Sequence, residues 1–191
     1  GGIDADMINC ISISGNSLVV TGRICNGTID MDASAGIQNI TAPLNGCGFI
    51  LKTDINFNFQ FAKAINHPIS GSGSSGDLIK IVGNNIYLSG SFSGTADLNF
   101  DNNNDYLVTT SGQWGNTFII KTDLNGSFVW GGALVNVGNV WEMNNYSYTN
   151  YPLGLSISNG GLYLCGAFKV QVDFDPDTQS SQNVWSSVTP S

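Results

Sequence analysis

Residues 83–101 read GNNIYLSGSFSGTADLNFD, and residues 116–130 read NTFIIKTDLNGSFVW. Both phrases occur earlier, as GNSLVVTGRICNGTIDMD at 15–32 and CGFILKTDINFNFQF at 47–61. The first phrase recurs at 160–177 as GGLYLCGAFKVQVDFDPD. Matched glycines Gly22, Gly90 and Gly166 lie 68 and 76 residues apart, and matched lysines Lys52 and Lys121 lie 69 apart. A period of this length marks an array of like supersecondary units rather than one irregular domain.

Within the second unit, Asp77–Val82 and Ile86–Phe92 alternate apolar and polar residues around Asn84–Asn85. Thr117–Asp123 and Ser127–Leu134 flank Leu124–Gly126 in the same way. Alternating runs joined by tight Asn/Gly turns predict antiparallel hairpins. The first unit offers Ile11–Ser14, Leu18–Thr21, Phe49–Thr53 and Phe57–Ala64, and the third Leu155–Ser158 and Leu162–Phe168. Four antiparallel strands repeated in tandem predict an all-β chain built of β-propeller blades. The expected division is 1–65, 66–135 and a partial third unit over 136–191. The third unit lacks its last two strands, and Gly1–Gly2 align with Gly131–Gly132. The expectation is therefore a piece of a larger propeller, or one completed by other chains.

Composition agrees. Of 191 residues, 41% are hydrophobic and 10% charged, with 24 glycines. This is enough apolar material for a core, and too little charge for a disordered chain. No apolar run reaches the length of a membrane-spanning helix. Six Lys/Arg against fourteen Asp/Glu give a net charge of −8, which excludes the basic footprint of a nucleic-acid binder. Acidity with little lysine fits a secreted or cell-surface protein.

The units resemble the SBBP-type β-propeller repeats of bacterial secreted and cell-surface proteins. The likeness rests on Gly83, Asn84, Tyr87, Gly90, Phe92, Gly94, Asp97, Phe118, Lys121, Asp123, Gly126 and Trp130. The third unit adds Tyr163, Gly166, Phe168, Asp173, Phe174, Asp175 and Pro176; the first departs at Val19, Phe57 and Phe61. The resemblance implies a fold and a surface location, and no single activity.

Strand alternation puts the tight turns on one face and the long connections 26–46, 64–77, 93–115 and 135–153 on the other. Long loops on a rigid scaffold are where binding usually resides. Asp101, Asn103 and Asp105, and Asp173, Asp175 and Asp177, alternate oxygen-bearing side chains as calcium loops do, without the glycine and distal glutamate of an EF-hand. Turn formation is the competing reading, because Asp and Asn favour turns by themselves. Trp114, Trp141, Tyr146, Tyr148, Tyr151 and Trp185 are the aromatics placed to stack on a glycan or anchor a partner chain, or else to form loop cores.

Cys25 and Cys47 flank the long loop of the first unit, and both are missing from the second. Their joint absence predicts a disulfide and an oxidising compartment. Cys10 and Cys165 read as free thiols. Gly71-x-Gly73-x-x-Gly76 matches a dinucleotide fingerprint by letters only, precedes no helix, and reads as a flexible Gly/Ser loop. With one histidine, His67, and no G-x-S-x-G, a Ser-His-Asp enzyme has no support. Arg23 is the only arginine, so no cluster exists to hold an acidic sugar. The expectation is a non-enzymatic structural, assembly or adhesive module without a cofactor, its partners being other chains or further blades of the same protein. The alternative is a carbohydrate- or calcium-dependent binding module.

Overall fold

The computed structural model describes residues 4–100, 106–110, 115–136, 150–168, 172–176 and 184–185. These residues are all-β and antiparallel, with no helix among them. Sheet one orders β1 (Met7–Ser14), β2 (Ser17–Ile24), β5 (Cys47–Asp54) and β6 (Phe59–Ala64). Sheet two repeats that order with β7 (Gly73–Val82), β8 (Asn85–Ser93), β11 (Asn116–Asp123) and β12 (Phe128–Asn136). The third unit supplies the pair β13 (Asn150–Ser158) and β14 (Gly161–Phe168).

All ten expected strands are present, most of them longer than the alternating runs. Phe57 is an exception: it stands in a turn at φ 65, ahead of β6. The loops between second and third strands also hold structure that alternation did not reveal. Short hairpins β3 (Gly27–Asp30) with β4 (Asn39–Ala42), and β9 (Thr95–Asp97) with β10 (Leu107–Thr109), stand there. In the third unit, β15 (Val172–Asp173) pairs with β16 (Val184–Trp185) and also with β12, extending sheet two to six strands.

The repeated letters have identifiable duties. In each unit the first strand slips register by one residue, at Asn9, Asp77 and Leu153. Such a bulge pushes backbone toward the facing strand. The residue facing it is the repeated glycine. A β-carbon on Gly22, Gly90 or Gly166 would come within 1.9, 2.0 and 2.3 Å of the carbonyl oxygens of Met7, Ser75 and Tyr151. The repeated aspartates close the second hairpin. Asp54 Oδ1 accepts from the amides of Asn56 (2.8 Å) and Asn58 (2.9 Å). Asp123 Oδ1 accepts likewise from Asn125 and Ser127, both at 2.8 Å. These bonds hold both carboxyls below the usual aspartate range, led by Asn58 for Asp54 and by Ser127 for Asp123.

Strand β7 runs against β1, β2 and β5 on one side and against β13 on the other. The core between sheets one and two joins Val19, Ile50 and Ile65 to Ile79, Ile86, Leu88, Phe92, Phe118 and Ile120. Burying each such side chain is worth about 1.5–3 kcal/mol. Residues 71–76 are not a free loop, because β7 already begins at Gly73. A β-carbon on Gly76 would meet Thr21 Oγ1 at 2.0 Å, and one on Gly73 would meet Asn45 O at 2.5 Å. Their glycines let the two sheets close on each other.

Polar bonds cross the same joint. Asn9 Nδ2 donates to Gly76 O (2.9 Å) and the Ile81 amide donates to Ser12 Oγ (3.1 Å). Lys52 Nζ and Lys63 Nζ donate to the carbonyls of Leu124 and Gly126, each at 2.7 Å. Burial lowers the Lys52 pKa, and Asp123 works against that shift. Lys52, the first of the recurring lysines, thus ties its unit to the next unit's hairpin turn.

Candidate functional site

Three of the four long connections meet at one place. Asn45 from the first, Ile69–Ser72 from the second, and Ser93–Thr95 with Thr109 and Thr110 from the third line a cleft of about 500 Å³. That volume is ordinary for a small-molecule site. Its walls combine hydroxyls and backbone with the Ile69 side chain. Ser72 Oγ accepts from the Thr95 amide (2.9 Å), Thr95 and Thr109 share a hydroxyl bond (3.1 Å), and Asn45 Nδ2 donates to Gly71 O (2.7 Å). Each hydroxyl keeps further donor or acceptor capacity beyond these bonds. The lining residues include no titratable side chain. Among the described residues the cleft offers hydrogen-bonding groups and no acid, base or charged clamp.

His67 stands behind this wall. Nδ1 lies 2.9 Å from Thr95 O, and Nε2 lies 2.9 Å from Ser74 Oγ. A carbonyl only accepts, so Nδ1 carries the proton and Nε2 accepts from the serine. This resembles the base–nucleophile pair of a hydrolase, but Ser74 is 0% exposed and its oxygen also accepts from the Gly48 amide (2.9 Å). No substrate reaches it. The pair ties β7 to β5 and to the cleft wall, and burial lowers the His67 pKa.

Of the calcium candidates, Asp101, Asn103, Asp105 and Asp177 lie outside the described residues. Asp173 is buried, and its Oδ1 accepts from the Asp175 amide at 2.9 Å. The same turn recurs at Asp30, which accepts from Asp32 (3.0 Å), and at Asp97, which accepts from Asn99 (3.4 Å). The Asp173 carboxylate thus accepts in a turn present in all three units. Among the described residues, no three His, Cys, Asp or Glu side chains are grouped to hold a metal.

Of the aromatic candidates, Trp114, Trp141, Tyr146 and Tyr148 lie outside the described residues. Tyr151 and Trp185 belong to strands rather than loops, Tyr151 opposite Ala167 in β13 and Trp185 opposite Val172 in β16. Trp130, one of the repeat residues, is 40% exposed.

Cys25 and Cys47 are both free thiols in this structure, and both are buried. Cys47 pairs with Ile24, so Cys25 stands one residue past the position directly across from it. Burial, then the neighbouring Cys25, push the Cys47 thiol up to about 12, with Arg23 opposing. No helix among the described residues is long and apolar enough to cross a membrane. Comparison with protein-family models, curated proteins and solved structures returns no match.

The outer face of sheet one escaped the sequence reading. On β1, Ile8, Ile11 and Ile13 are 74, 56 and 60% exposed, while Leu18 and Val20, across from Ile13 and Ile11 on β2, are buried; Ile55 and Phe57, in the turn after β5, are 47 and 72% exposed. Alternation marks such residues as one-faced, but not as uncovered.

Proposed function

We propose that this chain is a non-enzymatic extracellular or cell-surface module of the β-propeller type, with each four-stranded sheet as one blade. Its role is structural: assembly or adhesion through its end faces. The observation that carries this reading is the exposure of Ile11 and Ile13 on β1, whose counterparts Ile79 and Ile81 in sheet two are core. Exposed contiguous apolar surface marks an interaction site. The likeness to SBBP-type repeats and the acidic composition support the surface location. Two measurements test the proposal. Antibody against the chain labels intact source cells; labelling only after permeabilisation overturns the location. An experimental structure shows the sheets fanned about the line of β1, β7 and β13; a flat two-sheet sandwich overturns the blade reading.

A second reading rests on the cleft. Its hydroxyl and amide lining, without charge, suits a neutral polyhydroxylated ligand such as a glycan. A glycan array with hits that Thr95→Val and Thr109→Val both abolish supports it, and an array without hits removes it. Calcium dependence is checked by calorimetric titration, where absence of heat and of thermal stabilisation rejects the cation.

A further inference from the structure

Asn-Gly occurs four times in this chain, at 26–27, 45–46, 125–126 and 159–160. Each pair carries the same latent reaction. The amide nitrogen of the glycine can attack the side-chain carbonyl carbon of the asparagine, and glycine, having no β-carbon, leaves the approach unobstructed. The four pairs differ in what the fold leaves free to react. The Gly46 amide donates to Pro43 O (2.8 Å), the Asn45 side chain donates to Gly71 O (2.7 Å), and a β-carbon on Gly46 would meet Arg23 Nε at 2.6 Å. The Gly126 amide donates to Asp123 O (3.1 Å), its carbonyl accepts from Lys63 Nζ, and a β-carbon on it would meet the Phe61 ring at 2.8 Å. The Asn26 amide donates to Pro43 O (3.1 Å), and Gly27 belongs to the β3–β4 ladder opposite Ala42.

Asn159-Gly160 is held by none of these devices. It forms the tip between β13 and β14, closed by the pair Ser158 and Gly161, with φ 49 at Asn159 and 76 at Gly160. Positive φ at both central residues defines a type I′ turn, for which Asn-Gly is a preferred sequence. No described backbone carbonyl accepts from the Gly160 amide, both residues are exposed, and a β-carbon on Gly160 would meet nothing within 4 Å. The equivalent turns of the other two units reverse the order, as Gly15-Asn16 and Gly83-Asn84. There the asparagine precedes Ser17 or Asn85, whose side chains obstruct the attack. All four of those turn residues are exposed as well, so the tip is open in every unit, including the one packed between two others.

We propose that Asn159 is a site of spontaneous deamidation, the one of the four that reacts first in the folded chain. The Gly160 nitrogen bonds to Asn159 Cγ, the bond from Cγ to the side-chain nitrogen breaks, and that nitrogen leaves as ammonia with the proton of the Gly160 amide. Water then adds to either carbonyl of the resulting succinimide and opens it to aspartate or isoaspartate. Nothing is oxidised or reduced, and water is the one co-reactant. Either product adds a negative charge at the tip. Isoaspartate also puts an extra methylene into the main chain of a two-residue turn, whose length sets the register of β13 against β14. The inference rests on the turn itself and holds whether or not the chain is a surface module.

Timed incubation of the native protein at mildly alkaline pH, followed by peptide mass mapping and enzymatic labelling of isoaspartate, tests it. Asn159 is expected to convert at least about tenfold faster than Asn26, Asn45 or Asn125, because those sites need a hydrogen-bonded turn or ladder opened first. In urea, where the fold is gone, the four rates are expected to draw together. Asn159→Gly keeps a turn sequence that the same geometry accepts, and is expected to remove the first acidic species seen on isoelectric focusing. Circular dichroism matching the wild type shows that this variant folds. Native conversion at any of the other three as fast as at Asn159 overturns the proposal. So does an Asn159 that stays intact in native protein while it reacts in urea, a lead for Asn159 that persists unchanged in urea, or an acidic species that survives Asn159→Gly.

Discussion

Sheet one and sheet two are built from one pattern and differ in what lies in front of them. Ile79 is 2% exposed and Ile11 is 56% exposed, though both follow the same bulge and precede the same Gly-Asn turn. The difference teaches that the repeat specifies a strand and the direction of its side chains, while a neighbour decides whether those side chains are core. Cutting the same side chain in both sheets gives the largest effect. Ile79→Ala is expected to cost about 3 kcal/mol in chemical denaturation. Ile11→Ala in dilute protein is expected to stay within about 0.5 kcal/mol. Equal losses would mean that the two faces are equally covered in solution.

Glycines sharpen the comparison within a single hairpin. Gly90→Ala drives a methyl against Ser75 O and the Phe118 ring, at 2.0 and 2.6 Å. Overpacking of this kind costs about 1–3 kcal/mol. Gly83→Ala has nothing within 4 Å and meets only the strain of φ +56, about 1 kcal/mol. Melting temperatures should therefore rank wild type above Gly83→Ala above Gly90→Ala; the reverse order would remove the close-approach account.

The lysines differ in the same direction. Lys52→Met leaves Leu124 O without its donor and is expected to cost about 1–2 kcal/mol. Lys121 lies 5.6 Å above the Tyr87 ring, and Lys121→Met should cost less, about 0.5–1 kcal/mol. A double-mutant cycle of Lys52→Met with Leu124→Gly should show little coupling, since the acceptor is a backbone carbonyl.

The joint should also respond to pH. Burial lowers the His67 pKa in the fold from its ordinary 6.5, so the folded state prefers the neutral ring. Stability from this group is complete above that value and is lost as pH falls through it toward the folded pKa. Asp54 and Asp123, held low by their turns, lose theirs only as pH falls further, below 3.8. Melting temperature is expected to drop between neutral pH and pH 5 in the wild type, and His67→Asn should lack that step. A smaller contrast concerns thiols. Exposed Cys165 should alkylate first in native protein, and Cys47, buried and raised to about 12, last. Equal rates would contradict the burial of the start of β5.

Much of the fold was legible because its signals are local. Alternation with Asn-Gly turns located the strands, and the copies confirmed one another at Gly22, Gly90 and Gly166. The hairpins β3–β4 and β9–β10 were missed because three- and four-residue strands are too short for alternation to register. Phe57 was read as strand because its left-handed turn residue carries no glycine signal. At the cleft, the sequence grouped the long connections on one face, but not the hydroxyls of Ser72, Thr95 and Thr109, which come from different loops. His67 looked inert as a lone histidine, and only the structure shows it holding Ser74.

Sequence alone determined the strands, the turns, the repeated glycines and the repeating unit, because each depends on neighbours a few residues away or on a copy of the same phrase. Tertiary structure decided which isoleucines are core, which lysine is tied to a turn, and where three loops meet. Those properties depend on what packs in front of a sheet, and the letters of Ile11 and Ile79 are the same whether or not anything does.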